Sequence, residues 1–167
     1  MSKGLVTIID FHGAKLKENF LYTFDQSDIN GVNYYSDPTS AKRIADLNKF
    51  KAIWRDIAER FKDYPETLLF EVFNEPYFWL SANEISTISS DIINIVRSSG
   101  SNNESRKIII TGGDTNSWEV IFQIPNDLIN SDPNLIATFH YYQPMSFTSS
   151  MQELSLIHIS EPTRPSI

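Results

Sequence analysis

Leu68-Leu69-Phe70-Glu71-Val72-Phe73-Asn74-Glu75-Pro76 is the stretch from which the fold is read. A short apolar run rich in Phe and Val and stopped by proline predicts a buried strand whose last residues stand at a rim. A carboxylate placed where such a strand runs out is partly desolvated, which raises its pKa and lets it hold a proton near neutral pH. Glu75 is that carboxylate, and Asn74 beside it offers both a donor and an acceptor. Asn-Glu-Pro also suits a plain turn, because Asn and Pro are turn formers and a rim Glu is usually solvated. The flanking sequence decides between the two.

Upstream, Leu5 to Phe11 predicts a buried strand ending in Asp10-Phe11-His12-Gly13. The two-residue alternation of a strand puts Ile8, Asp10 and His12 on one face and Ile9 and Phe11 on the other. Ala14 to Ser40 has no periodicity but carries Phe20, Tyr22, Phe24, Tyr34 and Tyr35, which suits either a functional loop or a satellite core beneath one. Asp37-Pro38-Thr39-Ser40 then caps a helix with Ile44, Leu47, Phe50, Ile53, Trp54, Ile57, Ala58 and Phe61 as its apolar stripe, ended by Tyr64-Pro65. Downstream, a helix from Asn83 to Ser99 buries Ile85, Ile88, Ile92, Ile95 and Val96, and Gly100 stops it. Lys107 to Thr111 is a third strand running into Gly112-Gly113-Asp114. Trp118 to Phe122 is a short helix cut off by Ile124-Pro125, and Leu135 to Tyr142 is a fourth strand with Ile136, Thr138, His140 and Tyr142 on one face.

Strands alternating with helices predict a parallel α/β architecture. Every strand is apolar at its start and polar at its C-terminal end: Asp10 and His12, Asn74 and Glu75, Asp114, His140 and Tyr142. In a parallel sheet those ends lie on one side, where α/β proteins bind and react. Gly112-Gly113 lacks the spacing and the helix start of a phosphate cradle. A barrel with polar residues spread over several strand ends therefore fits better than a doubly wound nucleotide fold. The expected fold class is α/β, a partial (β/α)₈ TIM barrel of about four of eight βα units.

Charge narrows the partners. Among 167 residues, 14 Lys and Arg stand against 21 acidic residues, a net charge of −7, and no basic cluster occurs, so no nucleic-acid partner is expected. No apolar run approaches the length of a membrane span, so no membrane partner is expected either. With no cysteine, disulfides and thiolate metal sites are excluded. Met1 is followed after two residues by Gly4-Leu5-Val6-Thr7-Ile8-Ile9-Asp10, already a predicted strand, from which the natural N-terminus is expected to lie further upstream.

His12, His140, Glu75 and Asp10 have metal-ligating atoms, but no pair shows local ligand spacing such as His-x-His, so neither a metal nor any other cofactor is expected. A serine nucleophile elbow is absent. What the rim supports is acid catalysis by Glu75 among aromatic and hydrogen-bonding groups, the setting in which proteins hold sugars and break glycosidic bonds.

Ile9-Asp10-Phe11-His12, Phe73-Asn74-Glu75-Pro76 and Phe139-His140-Tyr141-Tyr142, in that order on successive strands, resemble the third, fourth and sixth strand ends of family-five glycoside hydrolases of the cellulase type. Trp54, the segment Asn103 to Arg106 and Trp118 extend the likeness, which covers Gly4 to Phe147. The resemblance implies retaining, endo-acting hydrolysis of β-linked glucans, with a β-mannanase as the alternative within the clan. It makes Glu75 the general acid and then base, and Asn74 the partner of the sugar 2-hydroxyl. It has His12 line the subsite of the sugar to be cleaved, His140 and Tyr142 position the reacting groups, and Trp118 stack on a sugar face.

The departures from the family pattern also bear on function. Retaining chemistry needs two carboxyl groups roughly 5 Å apart, and the family's second glutamate, on the seventh strand, has no counterpart here. Glu71 lies four residues before Glu75, about 13 Å down a strand, and Asp10 is read as a barrel anchor. The chain alone is therefore expected to be inactive, and a carbohydrate-binding pseudoenzyme is a second alternative. Residues 1–154 form the expected catalytic-domain segment. Residues 155–167, with Glu161-Pro162 and a second proline at Pro165, continue no helix or strand and are read as a non-native tail. Secretion is expected from the family's habit, and the sequence leaves the oligomeric state open.

Overall fold

Four parallel strands in the order β1-β2-β3-β4 make up the sheet of the computed structural model. The structure describes residues 4–12, 41–74, 82–112, 118–142 and 144, with 42, 43 and 118 described by backbone alone. In chain order the elements are β1 (Thr7–Asp10), α1 (Ala41–Phe61), β2 (Leu68–Glu71), α2 (Ala82–Ser98), β3 (Ile108–Ile110), α3 (Asn126–Ile129) and β4 (Leu135–Ala137), with 3₁₀ turns at Ser101–Glu104 and Trp118–Gln123. Parallel pairing needs a crossover between successive strands. Between β2 and β3 the crossover carries α2, and between β3 and β4 it carries the second 3₁₀ turn and α3.

Apolar spacing accounts for the helix layer. Phe50, Trp54 and Ala58, four residues apart on α1, are fully buried, and Ile85, Ile88, Ile92, Ile93 and Val96 form the buried face of α2. Both helices cover one face of the sheet through Phe70, Val72, Ile108 and Ile110. Trp54 meets Phe70 at 5.7 Å between ring centroids. Gly100 ends α2 with φ of 71°, a conformation open to glycine at little cost, and its N–H donates to the Arg97 carbonyl.

Three expectations change. β1 was expected to be buried, yet Leu5, Val6 and Ile8 are 66%, 63% and 49% exposed. β1 is an edge strand, and only its Ile9 and Phe11 side reaches the core. The fourth strand was expected to run to Tyr142 but ends at Ala137, because its partner β3 ends at Ile110, and the Thr138 N–H to Ile110 carbonyl bond closes the ladder. The helix expected at Trp118–Phe122 is a 3₁₀ turn over Trp118–Gln123, and α3 after it has no counterpart in the sequence reading. The loop aromatics of 14–40, the helix cap before Ala41 and the tail 155–167 lie outside the described residues.

The start of the sheet is held by one cation. Arg106, 1% exposed, directs Nη1 to the Pro65 and Leu68 carbonyls, Nη2 to those of Phe61 and Tyr64, and Nε to Asn103 Oδ1. All five guanidinium N–H donors are thereby used, and the group lies 5.0 Å from the Phe70 ring centroid. The end of α1, whose last carbonyls have no helical partner, is capped in the same stroke.

Candidate active site

Alternation at the strand ends builds the rim. Phe11 and Phe73 turn toward α1, where Phe50 lies between them at 4.7 Å edge-on and 4.8 Å stacked. With those rings clamped, their chain neighbours His12 and Asn74 emerge together at the C-terminal ends of β1 and β2. The backbone bonds Phe11 N–H to Glu71 O and Asn74 N–H to Phe11 O continue the pairing past the strands and fix that register.

The two side chains meet. Asn74 Nδ2 lies 3.4 Å from His12 Nε2, and His12 Nδ1 lies 3.1 Å from Asp10 Oδ2. With a proton on Nδ1 donated to the Asp10 carboxylate, Nε2 keeps its lone pair and accepts from the Asn74 amide. Asn74 is buried while His12 is open to solvent, so the chain runs from the surface into the site.

His140 comes from beyond the end of β4, and its Nε2 lies 3.9 Å from Glu71 Oε1, the pair being 31% and 12% exposed. Glu71 also faces Asp10, its register partner on β1. Burial is the main cause that lifts the Glu71 pKa above the ordinary carboxyl value, with Asp10 adding to it and His140 and His12 opposing it. Tyr142 follows His140 on the same exposed segment. Three predicted residues, His12, Asn74 and His140, therefore stand at one end of the sheet. Glu75, the next residue after Asn74, lies outside the described residues, as does the Trp118 side chain. Glu71, set aside on sequence distance, belongs to the cluster. Its signal was a charged residue inside an apolar strand.

Among the described residues no group of three His, Asp or Glu side chains is arranged to hold a metal ion. Nor is any described helix long and apolar enough to cross a membrane. What the rim offers is hydrogen bonding and proton exchange from carboxylates, imidazoles and an amide.

Parallel strands with their polar ends gathered on one side define an α/β protein of the (β/α)₈ type, of which these four strands form part. The sequence matches the cellulase family, glycosyl hydrolase family 5, over residues 1–164, and the chain belongs to that family. It is 38% identical over 149 residues to Endoglucanase H of Acetivibrio thermocellus, covering 89% of this chain and 13% of that protein. The crystal structure of endoglucanase Cel5A from Thermotoga maritima superposes with a TM-score of 0.64 at 27% identity, over 92% of this chain and 41% of that one. A tri-modular subfamily 4 endo-β-1,4-glucanase from Bacillus licheniformis, solved with cellotetraose, gives 0.56 at 34% identity, over 66% of this chain and 21% of that one. The chain thus spans well under two thirds of the length of each of these relatives.

Proposed function

We propose that the protein is a retaining, endo-acting β-1,4-glucan hydrolase in which Glu75 is the general acid and then the base. The observation that carries this reading is the Asp10–His12–Asn74 chain of contacts, which presents an oriented amide one residue before that glutamate. An amide fixed at this point donates to a sugar hydroxyl beside the scissile bond, and such a bond strengthens as the transition state develops. His12 lines the subsite of the sugar to be cleaved, His140 and Tyr142 position the reacting groups, and Trp118 stacks on a sugar face. An uncharged polymer suits a rim of amide, imidazole and phenol groups, and the cellotetraose bound by the Bacillus relative supports a β-glucan as substrate. Such a polymer stays outside the cell, so the reading carries secretion with it.

The second carboxyl that retention requires is assigned to the complete gene product, since the chain covers only part of its relatives. The 167-residue chain is expected to release no reducing ends from soluble β-glucan. The complete product is expected to cleave it with retention at the anomeric carbon and a rapid fall in viscosity. Glu75→Gln should lose about 10²–10⁴-fold in kcat. Inversion, or a Glu75→Gln variant of undiminished rate, would overturn the proposal.

A further inference from the structure

Glu71 sits where a carboxylate is expensive. The strand around it is Leu68, Leu69, Phe70, Val72 and Phe73, all buried, and its register neighbour on β3 is the buried Ile109. Such a position normally takes an aliphatic side chain, because an unpaired carboxylate loses its hydration there. The charged or titratable groups that face it are Asp10 and His12 from β1 and His140 from beyond β4, while β3 contributes only isoleucines. All three groups take part in the contacts of the candidate site.

We propose that Glu71 is a positioning residue: its carboxylate, 3.9 Å from His140 Nε2, reaches past β3 to set the tautomer and ring orientation of that imidazole. At 3.9 Å the contact is electrostatic, longer than a hydrogen bond, and the negative charge beside Nε2 favours the proton on that nitrogen and the lone pair on Nδ1. The contact also ties the end of β2, which carries Asn74 and Glu75, to the segment carrying His140 and Tyr142. Among the described residues β4 leaves the ladder at Ala137, so strand pairing does not reach that segment. For its effect on turnover the inference rests on the glucanase reading; the tautomer itself does not.

The test is ¹⁵N spectroscopy of histidine-labelled protein without substrate, the three histidines being assigned by single substitution. In the parent, the His140 Nε2 resonance is expected at the protonated-nitrogen position above the imidazole titration range. Glu71→Gln, which keeps the side-chain volume, should move it toward the average of the two tautomers and leave His12 in place. An unchanged His140 resonance overturns the inference. Should Glu71→Gln fail to fold, His140→Gln serves instead: the Glu71 ¹³C carboxyl titration must move to higher pH, and no movement overturns the inference. In the complete gene product, Glu71→Gln should cost about ten- to a hundredfold in kcat with KM little changed. The same change in a His140→Ala background should cost less than about twofold. Equal losses in both backgrounds assign Glu71 a structural role and overturn the inference. If the parent cleaves no glucan, the functional reading fails while the tautomer result stands.

Discussion

Replacing Arg106 by methionine removes five hydrogen bonds and leaves an apolar chain of similar length over Phe70. Four backbone carbonyls and the Asn103 side-chain oxygen lose this donor; the Phe61, Pro65 and Tyr64 carbonyls keep a second one, from the Tyr64 N–H, the Leu68 N–H and Asn102 Nδ2, and each lost bond costs about 1 kcal/mol. The lost contact of the guanidinium with the Phe70 ring adds about 0.5–1 kcal/mol. Against these stands the desolvation of the cation, which the variant no longer bears, so the net loss is about 3–5 kcal/mol. With a urea dependence of about 2 kcal/mol per molar, the unfolding midpoint should fall by about 2 M. Arg106→Lys separates charge from geometry. An ammonium has three donors and no planar fork, so it should recover less than half of the loss. A midpoint within about 0.5 M of the parent for Arg106→Met, measured by circular dichroism or tryptophan fluorescence, would refute the reasoning, since that is close to what an exposed site would give.

A Cβ on Gly112 would lie 2.1 Å from the Val120 carbonyl oxygen and 2.9 Å from its carbon, so Gly112→Ala must displace the 3₁₀ turn Trp118–Gln123. The expected cost is about 1–3 kcal/mol, with faster amide exchange in that turn, and unchanged exchange there would refute the close approach. For Asp132, burial pushes the pKa up, but the Arg97 guanidinium 2.6 Å away and the Asn134 N–H outweigh it, and the carboxyl sits below its ordinary 3.8. A depressed folded value contributes stability above the ordinary value and loses it as pH falls through the folded one, so Asp132→Asn should flatten the acid limb of stability below about pH 4 and leave its shape above unchanged.

The parallel order and the polar strand ends were legible because both are local. A strand buried on its helix side and polar at its tip writes that pattern into six or seven residues, as Leu68 to Asn74 do. Exposure of β1 was not legible, since Val6 and Ile8 carry the apolar character of a buried strand whether or not a neighbour covers them. The early end of β4 depends on where β3 stops, while Thr138, His140 and Tyr142 keep the sequence alternation of a strand beyond Ala137, the last residue in register with β3. Glu71 was misjudged because strand rise measures distance along one chain, whereas its contact to His140 crosses the sheet. Asn103 and Arg106 entered only through family resemblance, because a lone Arg before an apolar strand does not reveal that five acceptors surround it.

The two ends of the sheet use charge for opposite purposes. Before the strands begin, Arg106 holds the carbonyls around the start of β2, and Arg97 joins Asp132 to the carbonyls of Asn103 and Arg106. Guanidinium suits that work because it stays protonated at any physiological pH and its donors are fixed in a plane. Beyond the strands, the groups are carboxylates, imidazoles and an amide, whose protons can be gained, lost or reoriented. The end that must not move is thus held by guanidinium groups, which do not titrate in that range, and the end that handles protons is built from groups that do. Glu71 lies at the boundary, on a strand anchored below by Arg106 through the Leu68 carbonyl and open above to His140. A rigid base lets a carboxylate raised by burial keep its place instead of turning toward water, and so the stability of one end becomes the precision of the other.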